Sequence, residues 1–258
     1  MSLDDIPFPT TTDRLLGGRV MLRQPEKGYR SAIDPVLLAA AVDAPEGARI
    51  VDIGAGAGQA ALCLAARRPD LHIAALELQA PLARLARENA GSNGMEVEVV
   101  EGDLHGEPPP FGGARFDVAI TNPPFWRAGE SRPSPDPVKR IATIEGPEGL
   151  TGWMLASARL LTSSGRLLVI HSSARLGDVL AGGRHAGFRA IAVFPLWPKA
   201  GEKAKRVIVA LDRHGPENVR RSEGLVLHDE DGRYTAETEC ILRDGIALSA
   251  ITDFGNPV

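Results

Sequence analysis

The stretch from Ile50 to Arg67 constrains the fold of this chain more than any other. A short apolar, β-prone run leads through Asp52 into three glycines that alternate with small residues, and an apolar helical pattern follows at once. The glycines allow a sharp backbone turn and a close approach by a ligand, and the helix N-terminus offers free N–H groups with a partial positive charge. We therefore predict a strand, a ligand-binding turn at Gly54, Ala55 and Gly56, and a helix.

The glycine spacing narrows the kind of ligand. It is G-x-G-x-G rather than G-x-G-x-x-G, and no Gly-Lys-Ser/Thr follows, which disfavours a nicotinamide Rossmann site and a P-loop. The next predicted strand carries Glu77 near its end. The number of residues between the glycine turn and Glu77 is about that expected for an acid that binds two ribose hydroxyls. An ionised carboxylate only accepts hydrogen bonds, so it suits a vicinal diol. An ordinary tight turn of an α/β protein remains the alternative at this point.

Composition excludes several classes of protein. The 258 residues are enough for one large α/β domain with a full core and few for two. Cys63 and Cys240 have no neighbouring CxxC or Cys/His cluster, so we expect packed, reduced thiols and no metal site. Neither a signal peptide nor a membrane span is predicted, and we expect a cytoplasmic enzyme. The net charge of −4 leaves room only for a local basic patch.

Alternating strand and helix patterns predict the architecture. They indicate a Rossmann-like α/β sheet of seven strands, mostly parallel, with helices on both faces. The last strand follows its predecessor without a helical pattern between them, so we predict that it runs antiparallel. The predicted strands are 49–53, 72–77, 96–100, 116–121, 165–171, 188–195 and 205–212, and the main predicted helices are 57–67, 80–93, 148–162 and 175–185.

The core of the chain has an extension at each side. We predict an N-terminal extension over 1–46, in which Asp34 is the N-cap of a buried helix and Pro35 is its first residue. The core then covers 47–213, and 214–258 form a C-terminal appendage. Both extensions are predicted to be small, and the N-terminal helix is placed where it could close over a ligand at the glycine turn.

Two further motifs end predicted strands. Gly102-Asp103 follows the third core strand, and Asn122-Pro123-Pro124-Phe125 follows the fourth. In open α/β sheets, ligands bind at the carboxyl ends of the strands near the point where strand order reverses. In this order, the glycine turn, the ribose acid, Gly-Asp and Asn-Pro-Pro-Phe resemble a class I S-adenosylmethionine-dependent methyltransferase of the branch that methylates a planar nitrogen.

The resemblance implies S-adenosylmethionine as the cofactor. Asp52 would serve the turn or the amino acid moiety, most readily through water, Glu77 would hold the ribose, and Asp103 would accept from the adenine amine. The cofactor-binding residues predicted in this way are Asp52, Gly54, Ala55, Gly56, Glu77, Leu78, Gly102, Asp103, Leu104 and Asn122.

The Asn-Pro-Pro-Phe motif suits methyl transfer to an aromatic amine. The lone pair of such an amine is delocalised into the ring, and two acceptors that hold its N–H groups can turn that lone pair toward the methyl group. We predict Asn122 through its side-chain oxygen and Pro123 through its carbonyl as these acceptors. Phe125 would stack on the base, a contact worth about 1–3 kcal/mol. No general base is required before transfer, because the product ammonium is acidic.

Flanking segments narrow the substrate. Residues 23–41, 134–136 and 195–201 resemble bacterial tRNA adenine-N6 methyltransferases that act in the anticodon loop of valine tRNA. The resemblance implies an RNA partner, a tRNA in particular, and neither membrane nor metal. The predicted substrate contacts are Pro124, Phe125, Trp126, Arg127, Arg132, Lys139, Arg140, Lys199 and Lys203, with Lys205 and Arg206 as further phosphate contacts.

Three alternatives stay open at this stage. The first is methylation of a guanine exocyclic amine in rRNA, and the second is methylation of a protein glutamine, whose amide is also a planar nitrogen. The third is a catalytically inactive RNA-binding or assembly module, against which the intact Asn122 argues. The sequence gives neither the nucleotide, nor the tRNA species, nor the oligomeric state.

Overall fold

A mixed β-sheet of nine strands organises the part of the chain that this computed structural model describes. The described residues are 6, 8–26, 33–107, 109–125, 146–214, 219–252 and 254. The strands are β1 (Thr10–Leu15), β2 (Val20–Pro25), β3 (Arg49–Ile53), β4 (His72–Glu77), β5 (Val97–Glu101), β6 (Phe116–Thr121), β7 (Leu161–Ser172), β8 (Arg189–Lys199), β9 (Arg206–Asp212), β10 (Arg220–Arg221) and β11 (Leu225–His228).

The order of the strands creates a switch point at β3. The large sheet has the order β10-β8-β9-β7-β6-β3-β4-β5, and β11 also pairs with β8. The chain runs outward from β3 through β4 to β5 and then returns to β6 on the other side of β3, with all of these pairs parallel. The carboxyl ends of β3 and β6 therefore lie side by side, with Ile53 paired to Thr121. This is the position at which sheets of this class bind ligands.

Strand β9 enters the sheet antiparallel between β7 and β8. The short turn that precedes it cannot hold the crossover helix that a parallel connection needs. Because of this direction, the first residue of β9, Arg206, pairs with Ser172 at the end of β7. A residue that begins one strand thus lies at the same edge as the residues that end the parallel strands.

Helices cover both faces of the sheet. They are α1 (Asp34–Ala40), α2 (Gln59–Arg67), α3 (Ala80–Ser92), α4 (Gly149–Leu160), α5 (Leu176–His185), α6 (Ala236–Leu242) and α7 (Leu248–Ile251). One buried cluster joins the sheet to α1, α2 and α6, with Leu37, Leu62 and Ile241 fully buried. A second cluster joins the opposite face to α4 and α5, where Met154 and Val179 are buried.

The predicted fold class is confirmed. Seven strands form the expected core, β9 is the antiparallel strand, and helices lie on both faces. Strands β10 and β11, from the C-terminal appendage, pair with β8 and extend the sheet beyond it. The division at 46 and 213 stays a prediction. No helix in the described ranges combines the length and the apolar character needed to cross a bilayer.

One local prediction is wrong. Asp34 is the first residue of α1 rather than its N-cap, a position that Ile33 occupies without a capping side chain. The Asp34 carboxylate instead pairs with the guanidinium of Arg206, with 2.9 Å between Oδ2 and Nε. A charged partner outside the helix replaces the backbone N–H groups as the donor to this carboxylate. Pro35 is therefore the second residue of α1, one position later than predicted, and still lies in the first turn, where proline is tolerated.

Candidate active site

A cavity of about 530 Å³ opens at the carboxyl edge of the sheet, where β3 and β6 meet. It brings together every residue that the sequence predicted for cofactor binding, together with the start of the Asn-Pro-Pro-Phe motif. Those lining residues are Asp52, Gly54, Ala55, Gly56, Glu77, Leu78, Gly102, Asp103, Leu104, Asn122, Pro123 and Pro124.

The glycine turn wraps closely around the end of β3. The N–H groups of Gly54 and Ala55 both donate to the Leu76 carbonyl, at 2.9 and 3.0 Å. Gly54 has a φ of +73°, and a Cβ built on it would lie 3.3 Å from the ring of Trp153. Gly56 has a φ of +58°, with no atom within 4 Å of its Cβ position. The first glycine is thus required by packing and by its backbone angle, and the second leaves open space beside the cavity.

Asp52 joins β3 to the first turn of α2. Its Oδ2 accepts a hydrogen bond from the Ala61 N–H at 3.1 Å, and only 4% of the residue is exposed. Burial raises the pKa of Asp52 to about 7; the hydrogen bond from Ala61 opposes that shift, and the charge of Glu77 adds to it. An ionised Asp52 is therefore costly here, as expected for a carboxyl in a desolvated position.

Glu77 lies between the glycine turn and the start of α3. Its Oε2 accepts from the Gly56 N–H and its Oε1 accepts from the Gln79 N–H, both at 2.8 Å. Burial raises the pKa of Glu77, while these backbone hydrogen bonds lower it. Each carboxylate oxygen has two lone pairs, so each can accept from a ligand hydroxyl as well. The two backbone donors fix the carboxylate in place at the cavity.

The third strand end provides a polar and an apolar group. Asp103 is exposed and its carboxylate accepts from the His105 N–H at 2.9 Å, while the neighbouring Leu104 is buried. The Gly102 N–H donates to the Glu77 carbonyl at 3.0 Å, which joins this loop to the end of β4. Leu78 presents an apolar surface that is 53% exposed. An acceptor beside an apolar surface is suited to a flat ring that carries an amine.

The Asn-Pro-Pro-Phe motif begins directly after β6 and is tied to β3. The Thr121 hydroxyl donates to the Ile53 carbonyl at 2.9 Å and accepts from Trp153 Nε1 at 3.1 Å. Asn122 therefore follows a residue that is held across the switch point. The side-chain oxygen of Asn122 is shielded from solvent, and Pro123 is buried. The motif thus meets the cavity with a constrained backbone.

Phe125 lies beside the cavity, against β7 and β9. Its ring meets the imidazole of His171 edge to face, with 5.1 Å between the centroids. The guanidinium carbon of Arg206 lies 4.7 Å from the centroid of the same ring. The Phe125 carbonyl accepts from Arg175 Nη1 at 3.2 Å. The ring of Phe125 is therefore contacted from β7 and β9, and its backbone from the turn that follows β7.

The residues predicted to contact RNA differ in their exposure and in the partners they already contact. Lys203 is exposed in the turn between β8 and β9, at the edge that carries the cavity. The ammonium of Lys199 donates to the Glu230 carbonyl at 2.8 Å, and Arg206 contacts Phe125 and Asp34. Five other predicted residues lie outside the described part of the chain: Trp126, Arg127, Arg132, Lys139 and Arg140.

Trp153 and His171 contact predicted site residues, and the sequence did not predict either of them for the site. Trp153 lies within α4, and nothing in the helical pattern marks it as a neighbour of the glycine turn. His171 is the penultimate residue of β7. It could have been found, because it is a polar residue at the end of a predicted strand, as Asp52, Glu77 and Asn122 are.

Comparison with known proteins gives a consistent result. The family described as "Methyltransferase small domain" matches residues 32–139. The tRNA1(Val) (adenine(37)-N6)-methyltransferase of Aeromonas hydrophila subsp. hydrophila is 31% identical over 205 residues, covering 78% of this chain and 84% of the relative. The 4-amino-L-phenylalanine/4-methylamino-L-phenylalanine methyltransferase of Streptomyces pristinaespiralis is 35% identical over 139 residues, covering 51% of this chain and 46% of the relative.

A solved structure shares the fold. The crystal structure of a predicted O-methyltransferase from Agrobacterium tumefaciens matches with a TM-score of 0.65 at 22% identity, covering 81% of this chain and 94% of that one. At this identity the likeness concerns the fold alone. It agrees with the arrangement of strands and helices described above.

Proposed function

Because the chain belongs to the S-adenosylmethionine-dependent methyltransferase family that includes the tRNA1(Val) (adenine(37)-N6)-methyltransferases, we propose that it methylates the N6 amine of an adenine in the anticodon loop of a tRNA. The observation that carries the proposal is the position of Asn122. It follows β6 at the switch point, across from the glycine turn and Glu77, and lines the same cavity as both.

The residues present suit the cofactor. Glu77 offers a buried, doubly hydrogen-bonded carboxylate to the ribose, and the open space at Gly56 admits a ligand close to the backbone. Asp103 and Leu78 are assigned to the adenine. Bound S-adenosylmethionine supplies an electrophilic methyl group on a sulfonium.

The chain's own contribution is to orient the acceptor. The Asn122 side-chain oxygen and the Pro123 carbonyl accept the two N–H groups of the exocyclic amine, which directs the nitrogen lone pair out of the base plane. The two prolines restrict the backbone on which these acceptors are mounted. Phe125 supports the face of the base. Fixing the geometry in this way removes much of the entropic part of the barrier.

No side chain has to remove a proton before transfer. The amine loses its proton after methylation, when the nitrogen carries a positive charge and the proton is acidic. Burial holds the pKa of His171 down to about 4, and both of its ring nitrogens are engaged by the backbone. We therefore attribute the acceleration of methyl transfer to positioning of the amine rather than to general-base catalysis.

An RNA acceptor is supported by the surface next to the cavity as well as by the relative from Aeromonas. Lys203 and Lys205 are exposed at the carboxyl edge, in the turn that precedes Arg206, and Arg206 in turn contacts the ring of Phe125. Phosphate contacts need such exposed cations close to the base pocket. An anticodon-loop adenine is largely unpaired, so its extrusion into a pocket costs little.

The test is an assay with competing acceptors. The purified chain is incubated with methyl-labelled cofactor and a mixture of unmodified valine tRNA, unmodified rRNA and a glutamine-containing peptide. The three acceptors are then separated, the RNAs are digested to nucleosides, and the label in each is identified. We expect the label in N6-methyladenosine. Label on guanine of rRNA, or on the glutamine of a peptide, would keep the chemistry and reject the proposed substrate.

A small aromatic amine is the second candidate acceptor. The relative from Streptomyces pristinaespiralis is named for 4-amino-L-phenylalanine, and its matched segment is the most identical of the relatives compared above. That match covers less than half of the relative, whereas the Aeromonas match covers 84%. Free 4-amino-L-phenylalanine therefore belongs in the assay, and faster methylation of it than of tRNA would favour this candidate.

A further inference from the structure

The imidazole of His171 is held in one tautomer by its neighbours. The residue is fully buried. The Ser172 N–H donates to Nδ1 at 2.9 Å, so Nδ1 carries no proton, and Nε2 is left to donate to the Pro124 carbonyl, 3.3 Å away. Burial, together with the nearby charges of Arg175 and Arg206, lowers the pKa of His171 to about 4, against the opposing effect of its hydrogen bonds. The neutral ring of His171 thus donates a hydrogen bond to the loop formed by residues 122–125, which we call the acceptor loop.

The loop has few backbone donors of its own. Pro123 and Pro124 have no N–H group, so within these two residues the backbone can only accept hydrogen bonds. The described structure provides side-chain donors instead. His171 donates to the Pro124 carbonyl and Arg175 donates to the Phe125 carbonyl. These two contacts restrain the backbone after Asn122.

The ring of Phe125 is oriented by the same region. His171 meets it edge to face at 5.1 Å, and Arg206 places its guanidinium carbon 4.7 Å from the ring centroid. Arg206 is itself fixed by its ion pair with Asp34 at 2.9 Å. An aromatic ring that has a cation over one face and an imidazole against it has few other orientations available.

We propose that His171 and Arg206 are positioning residues for the acceptor: His171 holds the Pro124 carbonyl, and both residues hold the Phe125 ring in the orientation that receives the target base. The proposal rests on the function proposed above and extends it to two residues that do not line the cofactor cavity. His171 acts as a hydrogen-bond donor here and takes no proton from the amine. Arg206, predicted from the sequence as a phosphate contact, acts on the ring that stacks on the base.

The first test separates the donor of His171 from its bulk. His171→Leu keeps an apolar side chain and removes the donor, while His171→Gln places an amide N–H near the position of Nε2. We expect His171→Leu to lower kcat by about tenfold, the equivalent of one lost hydrogen bond, and His171→Gln to recover most of it. The affinity for S-adenosylhomocysteine should be the same in all three proteins. Equal kcat values for all three would overturn the proposal.

A double-mutant cycle with Phe125→Leu shows whether His171 acts through the loop. If it does, His171→Leu should cost little in a protein that already carries Phe125→Leu, because residues that share one interaction give non-additive effects. If the two rate losses simply multiply, His171 has an independent structural role and the proposal fails.

The test of Arg206 has a matched control on the same strand. Arg213, just beyond the other end of β9, places its guanidinium carbon 5.6 Å from the ring centroid of Phe188. We expect Arg206→Met to lower kcat by several-fold at unchanged cofactor affinity, and Arg213→Met to leave kcat unchanged. An equal loss in both variants would assign the effect to general packing around β9.

One measurement needs neither a variant nor an acceptor. In a ¹⁵N spectrum of histidine-labelled protein near neutral pH, His171 should be neutral with its proton on Nε2. A proton on Nδ1, or a charged ring, would overturn the proposal whether or not the variants fold. The kinetic tests use whichever acceptor the wild type methylates, so a wrong substrate would reject the proposed function and leave the positioning test in place.

Discussion

The backbone N–H of Gly56 donates a 2.8 Å hydrogen bond to Oε2 of Glu77. This bond joins the turn after β3 to the residue that ends β4, the neighbouring strand. The glycine turn and the acid are therefore one structural unit, and a change in either one is expected to affect the other.

Replacing Glu77 tests its proposed role toward the ribose. Glu77→Ala should weaken the binding of S-adenosylhomocysteine by about 10- to 100-fold, because hydrogen bonds to a charged group contribute about 1.5–3 kcal/mol. Glu101 ends the adjacent strand and is exposed, so Glu101→Ala is a matched control that should bind normally. Calorimetric titration measures both affinities. Equal affinities for Glu77→Ala and the wild type would show that the ribose assignment is wrong.

Replacing Gly54 tests whether its close contact with Trp153 limits which residue the position can accept without loss of stability. Gly54→Ala combines a positive φ of +73° with a Cβ only 3.3 Å from the indole ring, whereas Gly47 has a φ of +75° and no atom within 4 Å of its Cβ position. The backbone cost of about 1–2 kcal/mol is common to both. We expect Gly54→Ala to lower the melting temperature more than Gly47→Ala does, and Trp153→Leu to recover part of that difference. If the two alanine variants have the same melting temperature, steric conflict with Trp153 does not contribute to the loss of stability.

The raised pKa of Asp52, about 7, predicts a dependence of stability on pH. An unfolded aspartate has a pKa of about 3.9, so between about pH 4 and about pH 7 the folded chain binds the proton more tightly and loses stability as the pH rises. Asp52→Asn has no proton to lose. Relative to this variant, the free energy of unfolding of the wild type should fall by up to about 1.4 kcal/mol per pH unit in this window and run parallel above it. Urea denaturation at a series of pH values measures the difference, and a constant difference would contradict the shift.

Asn122 is expected to affect catalysis more than binding. Asn122→Ala removes one of the two proposed acceptors of the amine, and kcat should fall by about a hundredfold, as for the loss of one preorganised polar group in other enzymes. Asn122→Asp retains an acceptor of the same size and should keep part of the activity. Single-turnover methyl transfer measures both variants, with S-adenosylhomocysteine affinity as the control. If Asn122→Ala transfers methyl as fast as the wild type, Asn122 is only part of a rigid turn.

The exposed lysines of the β8–β9 turn test the RNA surface. The double variant Lys203→Glu/Lys205→Glu should weaken tRNA binding and reduce its dependence on salt, because fewer counterions are released. Arg115 is also exposed but precedes β6 at the opposite edge of the sheet, so Arg115→Glu should leave both properties unchanged. Binding measured at several salt concentrations compares them. A wild-type affinity that does not vary with salt would argue against phosphate contacts altogether.

The fold was accessible from the sequence because its features are local. Each core strand has its own apolar run, and Gly54, Glu77, Asp103 and Asn122 share one edge simply because parallel strands end together. Strand β10 has no such pattern. Its two residues, Arg220 and Arg221, pair with the existing edge of β8, and only the folded sheet provides that edge.

The acceptor side of the site could not be predicted in the same way. The contacts of Phe125 depend on the insertion of β9 between β7 and β8, and on the register that pairs Arg206 with Ser172. Trp153 reaches Gly54 from the opposite face of the sheet through the packing of α4. Neither set of contacts is marked by a characteristic spacing in the sequence, because both form only when distant segments meet in the folded sheet.

The pairing of Asp34 with Arg206 joins residues that are 172 positions apart. All described residues that line the cofactor cavity lie between Pro35 and Trp153, so the ribosome makes them before His171 and Arg206. Among the described residues, the cofactor side of the site is therefore contributed entirely by the segment up to Trp153, whereas the groups that hold Phe125 come from the later segment between His171 and Arg206. The two halves of the site can thus change independently in sequence even though they meet at one edge of the sheet.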